Sequence, residues 1–319
     1  MGREPATVIV TVRNEAGSVD ALLDSLLRGS RPPDEIVVAD GCSSDGTLER
    51  LRARAASEPR LRVLETPGNR SVGRNAAIRA ARHEVIAGTD AGVEVEPTWL
   101  ERIVRPFEAD PGVDVVAGFY RPVARTAFER AAGVVSAPAL REVDPARFLP
   151  STRSIAFRRA AWAKAGGFDE ALAHNEDTPF ALALKAAGCR FAFASDAIVG
   201  WRPRGDLRAF YRQHRRFGFG DGESRVQAWF YATIAAKYGL AAGLFLTGFA
   251  IPAAWWALAA GALLFVAQQA RRGLGRIAPL EAIVGVPLLK VVYDAAYLAG
   301  YARGRLAPAT APRRPEATR

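Results

Sequence analysis

The chain predicts an α/β fold with a doubly wound, mostly parallel sheet, followed by C-terminal membrane-associated helices. Three observations carry this. Short runs that are apolar on consecutive residues alternate with helix-period stripes over the first two hundred residues. Consecutive burial suits strands covered on both faces, as in a parallel sheet. From Ala228 to Ala270, Lys237 is the only charged residue.

The strand-like runs are Val8 to Val12, Ile36 to Ala39, Leu61 to Leu64, Glu84 to Ala87 and Val113 to Ala117. Between the first two, Val19, Leu22, Leu23, Leu26 and Leu27 recur at helical spacing, with Ser18 as the N-cap and Gly29 at the C-terminal end. Leu48, Leu51 and Ala55 form the next stripe. Strand and helix in alternation give a doubly wound sheet, whose ligands bind at the carboxyl ends of the strands.

With 319 residues, half of them apolar, the chain supports a large core. The formal charge is +10, carried mostly by arginine, with lysine only at 164, 185, 237 and 290. Such a balance points to nucleic acid, an anionic membrane or a phosphate-bearing substrate. The arginines are scattered and no nucleic-acid-binding signature appears, so nucleic acid is not expected. Cys42 and Cys189 stand far apart, without zinc-ligand spacing. The lead before Thr7 lacks the apolar core of a signal peptide, so the first domain is expected in the cytoplasm.

The apolar 228–270 stretch exceeds one span of ~20 residues. Pro252 near its middle fits a hairpin, and Trp229, Trp255 and Trp256 fit interfacial anchoring. Two crossings return Arg271, Arg272 and Arg276 to the cytoplasm, as the positive-inside rule prefers. The 277–301 stretch holds Glu281, Lys290 and Asp294, and reads as interfacial or re-entrant. The expected organisation is therefore a domain over 1–225, a membrane-associated region over 226–303 and a disordered basic tail over 304–319.

Four polar segments follow strands or open helices. Thr11-Val12-Arg13-Asn14-Glu15 ends the first strand. Asp40-Gly41-Cys42-Ser43-Ser44-Asp45-Gly46-Thr47 follows the second, and matches neither a GxGxxG nor a GxxxxGK[ST] loop. Thr89-Asp90-Ala91-Gly92 offers a carboxylate for a divalent cation. His174-Asn175-Glu176-Asp177-Thr178-Pro179 opens a helix, where Asp177 suits a general base and equally a cap. Alone, each also reads as an ordinary turn.

Their order over roughly residues 6 to 225 resembles family 2 glycosyltransferases of the GT-A fold. Gly73-Arg74-Asn75 resembles that family's "ARN", Asp90-Ala91-Gly92 its "DxD", Gly166-Gly167-Phe168 its "GGF" and Glu176-Asp177 its "ED". Gln213-His214-Arg215-Arg216-Phe217 is similar to the "QxxRW" of processive members.

The resemblance implies an inverting, hexosyltransferase-type enzyme. It would move a sugar from a nucleotide-diphosphate sugar, by default a UDP-sugar, to an acceptor hydroxyl in cell-surface polysaccharide or glycolipid synthesis. Thr11, Arg13, Glu15 and Asp40 would contact the nucleoside, and Arg74 the base or diphosphate. Asp90 would hold Mg²⁺ or Mn²⁺, and Asp177 would be the base. Glu176, Gln213, Arg216 and Phe217 would face a saccharide or lipid-linked acceptor. Gly92 removes the second acid of the metal motif, and Gly200-Trp201 stands where many relatives carry a metal-binding His. Arg153 and Arg216 are then expected to share stabilisation of the leaving diphosphate. The glycine-rich 218–222 segment is expected to be a loop that closes over the donor. His174 is expected at most to orient Asp177, and His83 and His214 to have no catalytic role. The rival readings are a non-catalytic nucleotide-binding membrane protein of the same fold, and a membrane nucleotidyltransferase, which would need more acidic metal ligands.

Overall fold

The computed structural model describes residues 2–172 and 174–307. The chain forms two compact units. One takes the residues up to Arg121 together with Val143–Trp201; the other takes Pro122–Glu142 and, among the described residues, 202–307.

The first unit opens with strict alternation. β1 (Ala6–Val12), α1 (Val19–Leu27), β2 (Glu35–Asp40), α2 (Thr47–Ser57), β3 (Leu61–Glu65), α3 (Arg70–Ala80) and β4 (Val85–Asp90) follow one another. β1 pairs in parallel with β2 and β4, and β2 with β3. β2 is buried along its whole length, as its unbroken apolar run requires. Ser18 precedes α1, but its side chain does not cap the helix; its hydroxyl turns to Glu15.

After β5 (Glu94–Val95), α4 (Trp99–Ala109) and β6 (Val115–Pro122), the chain enters the second unit with α5 (Ala127–Ser136). It returns as β7 (Ile155–Arg158), α6 (Arg159–Lys164), α7 (Asp177–Ala186) and β8 (Phe191–Trp201). The sheet order is β3-β2-β1-β4-β7-β6-β8-β5. β7 is antiparallel to β4 and β6, and β5 to β8. The sheet is therefore mixed. The expectation of a mostly parallel sheet holds for β1 to β4 and fails beyond them, because β7 enters the sheet against the direction of β4. Helices cover both faces: Leu22, Leu23 and Ile103 pack over Val8 and Val10, while Ile78, Phe180 and Leu184 pack over Ile9 and Val37.

The second unit contains α5, α8 (Leu207–Glu223), α9 (Ala228–Thr247), α10 (Ala253–Gly273), a π-helical turn at Glu281–Gly285 and α11 (Val286–Leu306). Its core joins Ala131, Val134 and Val135 of α5 to Phe210 of α8 and to Val286 and Leu289 of α11. The division expected at 225 thus falls at 201, with 122–142 also transferred, because α5 and α8 bury their apolar faces on α11. Three helical stretches are long and apolar enough to cross a membrane: Ala228–Thr247, Ala253–Gly273 and Glu281–Leu306.

The glycine-rich 218–222 segment is not a loop. It lies within α8, with Gly218, Gly220 and Gly222 buried. A Cβ on Gly218 or Gly222 would collide with the carbonyl oxygens of Tyr297 and Tyr301. The glycines let two helix backbones touch, which a larger residue would prevent. The basic tail expected from 304 begins later, since α11 runs to Leu306; residues 308–319 lie outside the described residues.

Candidate active site

The parallel pairing sets the carboxyl ends of β1, β2 and β4 side by side. Thr11 is in register with Asp90, and Val12 with Asp40. This edge is where ligands bind in such sheets.

Two loops leave the edge and are tied together. The Asn14 amide donates to Ser43 Oγ at 2.8 Å, the Ser44 amide to Asn14 Oδ1 at 2.9 Å, and the Glu15 amide to Thr47 Oγ1 at 2.8 Å. Asn14 and Cys42 hold positive φ angles of 58° and 59°, so this joint is a fixed, strained shape. Asp40 is fully buried, and its oxygens accept from the Ser43 amide at 2.9 Å and the Ser43 hydroxyl at 2.5 Å. The Asp40 carboxylate thus shapes the loop. The loop that carries Arg13, by contrast, leaves that side chain exposed, with its stem beside Gly41.

Arg74, on α3, is the centre of the site. It is 4% exposed. Nη2 donates to Asp90 Oδ1 at 2.8 Å, Nη1 donates to Glu176, and the guanidinium lies 5.5 Å from the Phe168 ring centroid. Thr11 and Arg74 line a small internal cavity with Thr89 and Thr152. Burial alone would lower the affinity of Arg74 for its proton, but Glu176, Asp90 and Asp177 outweigh it and hold the guanidinium charged. Burial raises the Asp90 carboxyl; Arg74, Arg153 and Arg70 overcome that and keep it below the usual carboxylate range.

Asp177 opens α7. Ser151 Oγ donates to Asp177 Oδ2 at 3.2 Å, and the Thr178 amide to Asp177 Oδ1 at 3.0 Å. Burial, then the neighbouring Glu176 charge, push the Asp177 carboxyl up; Arg153 and Arg74 pull it back without cancelling the rise. Two carboxyl groups at one site are thus pushed apart by their surroundings, Asp90 downwards and Asp177 upwards. Glu176 is buried and committed to Arg74. This buried ion pair anchors α7 to α3.

Arg153 stands in a slot between two rings, with centroids 5.2 Å away at Tyr120 and 5.3 Å away at Trp201. Its Nη1 donates to Ser151 Oγ at 3.2 Å. Trp201, at the position of the missing histidine, thus holds an arginine in place. Glu15 lies beside Gly92: a Cβ on Gly92 would stand 3.7 Å from Glu15 Oε2.

Ser151 and Tyr120 were given no role by the sequence, and Asn75 only a place in the Gly73-Arg74-Asn75 motif. Asn75 Nδ2 donates to the Phe168 carbonyl at 2.8 Å, and its Oδ1 accepts from the Phe168 amide at 3.0 Å. Phe168 stacks on Phe180 of α7 at 3.9 Å. Asn75 therefore positions the helix that carries Asp177; its place beside Arg74 was the available signal. Thr7 and His83 meet at 3.0 Å at the amino end of β1, away from this edge.

Gln213, Arg216 and Phe217 lie on α8 in the second unit. Gln213 Oε1 accepts from Arg204 Nε at 3.3 Å, Arg216 is exposed, and the Phe217 ring is 5.8 Å from that of His214. His214 is buried, with Ser136 Oγ at 3.2 Å and the Phe210 carbonyl at 2.8 Å, in keeping with a packing role.

A mixed sheet of this order, with arginines and carboxylates gathered at the ends of its parallel strands, defines a GT-A glycosyltransferase. A family model described as Glycosyl transferase family 2 matches residues 7–168, and a second, Glycosyl transferase family group 2, matches 90–268. The chain belongs to glycosyltransferase family 2. Succinoglycan biosynthesis protein ExoA of Rhizobium meliloti is 27% identical over 232 residues, 68% of each chain. The uncharacterized glycosyltransferase EpsJ of Bacillus subtilis is 28% identical over 207 residues, 61% of this chain and 60% of its own. Among solved structures, the mannosyltransferase PcManGT from Pyrobaculum calidifontis, in complex with GDP-Man and Mn²⁺, superposes with a TM-score of 0.64 at 22% identity. That match covers 93% of this chain and 88% of the other.

Proposed function

We propose that this chain transfers a sugar from a nucleoside-diphosphate sugar to an acceptor hydroxyl, with inversion, in the assembly of a surface polysaccharide or glycolipid. The observation that carries the reading is Asp177: a carboxylate raised by burial, set between Ser151 and the Arg74–Asp90–Glu176 cluster. A base tuned towards neutrality removes a proton more effectively than an ordinary aspartate.

In the proposed step Asp177 takes the proton of the acceptor hydroxyl. The freed oxygen forms the new bond to the anomeric carbon from the face opposite the leaving group. The bond to the diphosphate breaks, and the nucleoside diphosphate departs with that electron pair. Thr11, Arg13 and Glu15 receive the nucleoside. Arg153, fixed between Tyr120 and Trp201, meets the negative charge that develops on the leaving group. Gln213, Arg216 and Phe217 serve the acceptor.

PcManGT is solved with Mn²⁺. Here Asp90 is the carboxylate suited to a divalent ion. Among the described residues no group of three acidic, His or Cys side chains holds a metal by itself. The donor set therefore fits Mg²⁺ or Mn²⁺ only with diphosphate oxygens completing the shell, a mode common for Mg²⁺. Such an ion would neutralise diphosphate charge. Arginine is proposed to carry more of that load here than in relatives with a second acid. The name of ExoA supports a role in exopolysaccharide synthesis. The catalytic unit is proposed to face the cytoplasm, anchored at the membrane by the C-terminal helices.

The rival reading, a non-catalytic nucleotide-binding protein, is favoured only by Gly92. Membranes containing the protein are assayed for transfer and nucleotide-sugar hydrolysis across a donor panel, with and without Mn²⁺, beside Asp177→Asn. Turnover that disappears in Asp177→Asn supports the base assignment. Equal nucleoside-diphosphate release by both proteins removes Asp177 from the chemistry. Activity lost completely with EDTA and restored by Mn²⁺ would count against the arginine hypothesis.

A further inference from the structure

α11 and its π-helical lead are long and apolar enough to cross a membrane, yet their neighbours within the second unit oppose it. α11 runs parallel to α8, and the fit is intimate: a Cβ on Gly300 would collide with the Arg215 carbonyl, and one on Gly304 with that of Phe219. α8 exposes Arg208, Arg212, Arg215 and Arg216. At the other end, Gly285 packs on Ala131 of α5, and Glu281 pairs with Arg130 at 2.5 Å. A helix flanked along its length by arginine-bearing helices cannot sit in hydrocarbon, where nothing solvates the guanidinium groups. Its free side carries Leu280, Ile283, Val284, Leu288 and Val291, all exposed. Their spacing is one face of a helix, suited to lying in the interface.

α9 starts from this platform. Tyr231 Oη donates to Asp221 of α8 at 2.5 Å, and Lys237 Nζ to Asp294 of α11 at 2.5 Å. Lys237 therefore stays at the level of α11. The part of α9 beyond it, 238–247, reaches ~15 Å at the helical rise. The return leg, from Ala253 to Phe265, whose ring centroid lies 5.0 Å from Lys237 Nζ, covers ~20 Å at the same rise. The end of α10 comes back to the platform, where Gly273 packs on Ala282. Neither leg matches a hydrocarbon core of ~30 Å.

The turn satisfies its own backbone donors. The amides of Gly248, Phe249, Ala250 and Ile251 donate to the carbonyls of Leu244, Leu246 and Thr247, and Pro252 has no N–H. Trp255 Nε1 donates to the Phe245 carbonyl at 3.0 Å. Phe249 and Ile251 are 68% and 58% exposed, and no charged residue lies between Lys237 and Arg271. Irregular backbone in hydrocarbon needs its N–H groups paired within the protein, as these are. Thr247 and Trp256 would also suit a headgroup layer, which makes a tip at the far surface the rival arrangement.

We infer that the chain does not cross the bilayer: α9 and α10 form a wedge that enters one leaflet, its apolar turn ends among acyl chains, and α11 lies on the surface. The inference rests on the proposed membrane anchoring of this unit.

The test uses the full chain in right-side-out and inverted membrane vesicles, with Cys42→Ser and Cys189→Ser as background. Ile251→Cys and, in a separate protein, Arg303→Cys are probed with a membrane-impermeant maleimide; Phe249→Cys repeats the tip test should Ile251→Cys fail to accumulate. Labelling at the tip is expected to be lost from both faces and regained in detergent. Arg303→Cys is expected to label from the face that exposes Cys42 in the unaltered chain. Tip labelling from the opposite face, or Arg303→Cys labelling there, overturns the wedge and leaves the anchoring intact. Extraction of the protein from the vesicles by alkaline carbonate overturns the anchoring itself.

Discussion

Arg74 divides its guanidinium between two carboxylates: Nη2 lies 2.8 Å from Asp90 Oδ1, while Nη1 donates to Glu176. The two partners belong to different elements, the end of β4 and the residue before α7, so one buried side chain ties strand edge to helix. Removing it leaves the buried Glu176 with only the exposed Arg70, 4.0 Å away, as an ionic partner. Arg74→Ala is expected to cost about 3–5 kcal/mol, read by denaturant unfolding. Arg74→Lys should recover only part of this, because an ammonium cannot present the planar fork that reaches both acids. Full stability in Arg74→Ala would mean that the cluster is not a structural joint.

The raised carboxyl of Asp177 gives a pH signature. As the base, it works only when ionised, so kcat/KM should fall on the acid side at a pH above the ordinary aspartate value of 3.8. Asp177→Asn should lower kcat by ~10²–10⁴. The stability sign is opposite to the activity sign. A carboxyl whose folded pKa is raised favours the folded state below its unfolded pKa, and that contribution is lost as pH rises through the folded value. Asp177→Asn is therefore expected to be at least as stable as the parent at neutral pH, by thermal unfolding. Loss of both stability and activity would mark a merely structural aspartate.

Glu58 offers the reverse case. Its carboxylate accepts from Arg60 Nε and Nη2, both at 2.8 Å, and hydrogen bonding to Arg60 lowers its pKa from 4.5 to about 2. The contribution is complete above pH 4.5 and lost as pH falls towards 2. Because Arg60 is partly exposed, Glu58→Gln should cost only about 1 kcal/mol at neutral pH. The difference from the parent should shrink progressively on acidification below pH 4.5.

Gly300 touches the α8 backbone, and an added Cβ would meet the Arg215 carbonyl. Backbone cannot move aside as a flexible side chain does. Gly300→Ala is expected to cost about 1–3 kcal/mol through overpacking, seen as a lower melting temperature of the full chain in detergent. Gly261→Ala, on the open face of α10, is expected to be neutral or slightly stabilising. Equal effects from the two would argue against close α8–α11 packing.

Much of the fold was legible because its signals are local. The apolar runs of β1 to β4 and the stripes of α1 and α2 depend on residues near one another in sequence, and they appear where periodicity put them. The antiparallel half was not legible: β5, β7 and β8 are short or of mixed pattern, and their pairing joins segments far apart in sequence, from Ala117 with Ile155 to Glu94 with Gly200. Asp177, Asp90 and Arg74 could be named from motif order alone. Their division of labour could not, since identical carboxyl groups acquire different proton affinities only through the burial and charges around them.

The sequence by itself determined the alternation of strand and helix, the chemistry available at the strand ends and the uncharged stretch after Lys237. Tertiary structure decided what surrounds each acid: Asp40 holds its own loop, and Glu176 lies in a buried pair with Arg74. It also decided that the 218–222 glycines are a helix contact and not a hinge. Composition permits a flexible loop there, but the closeness of Tyr297 and Tyr301 requires residues without side chains. Local propensity is written residue by residue, whereas burial, pairing and proton affinity are properties of neighbours that the chain meets only on folding.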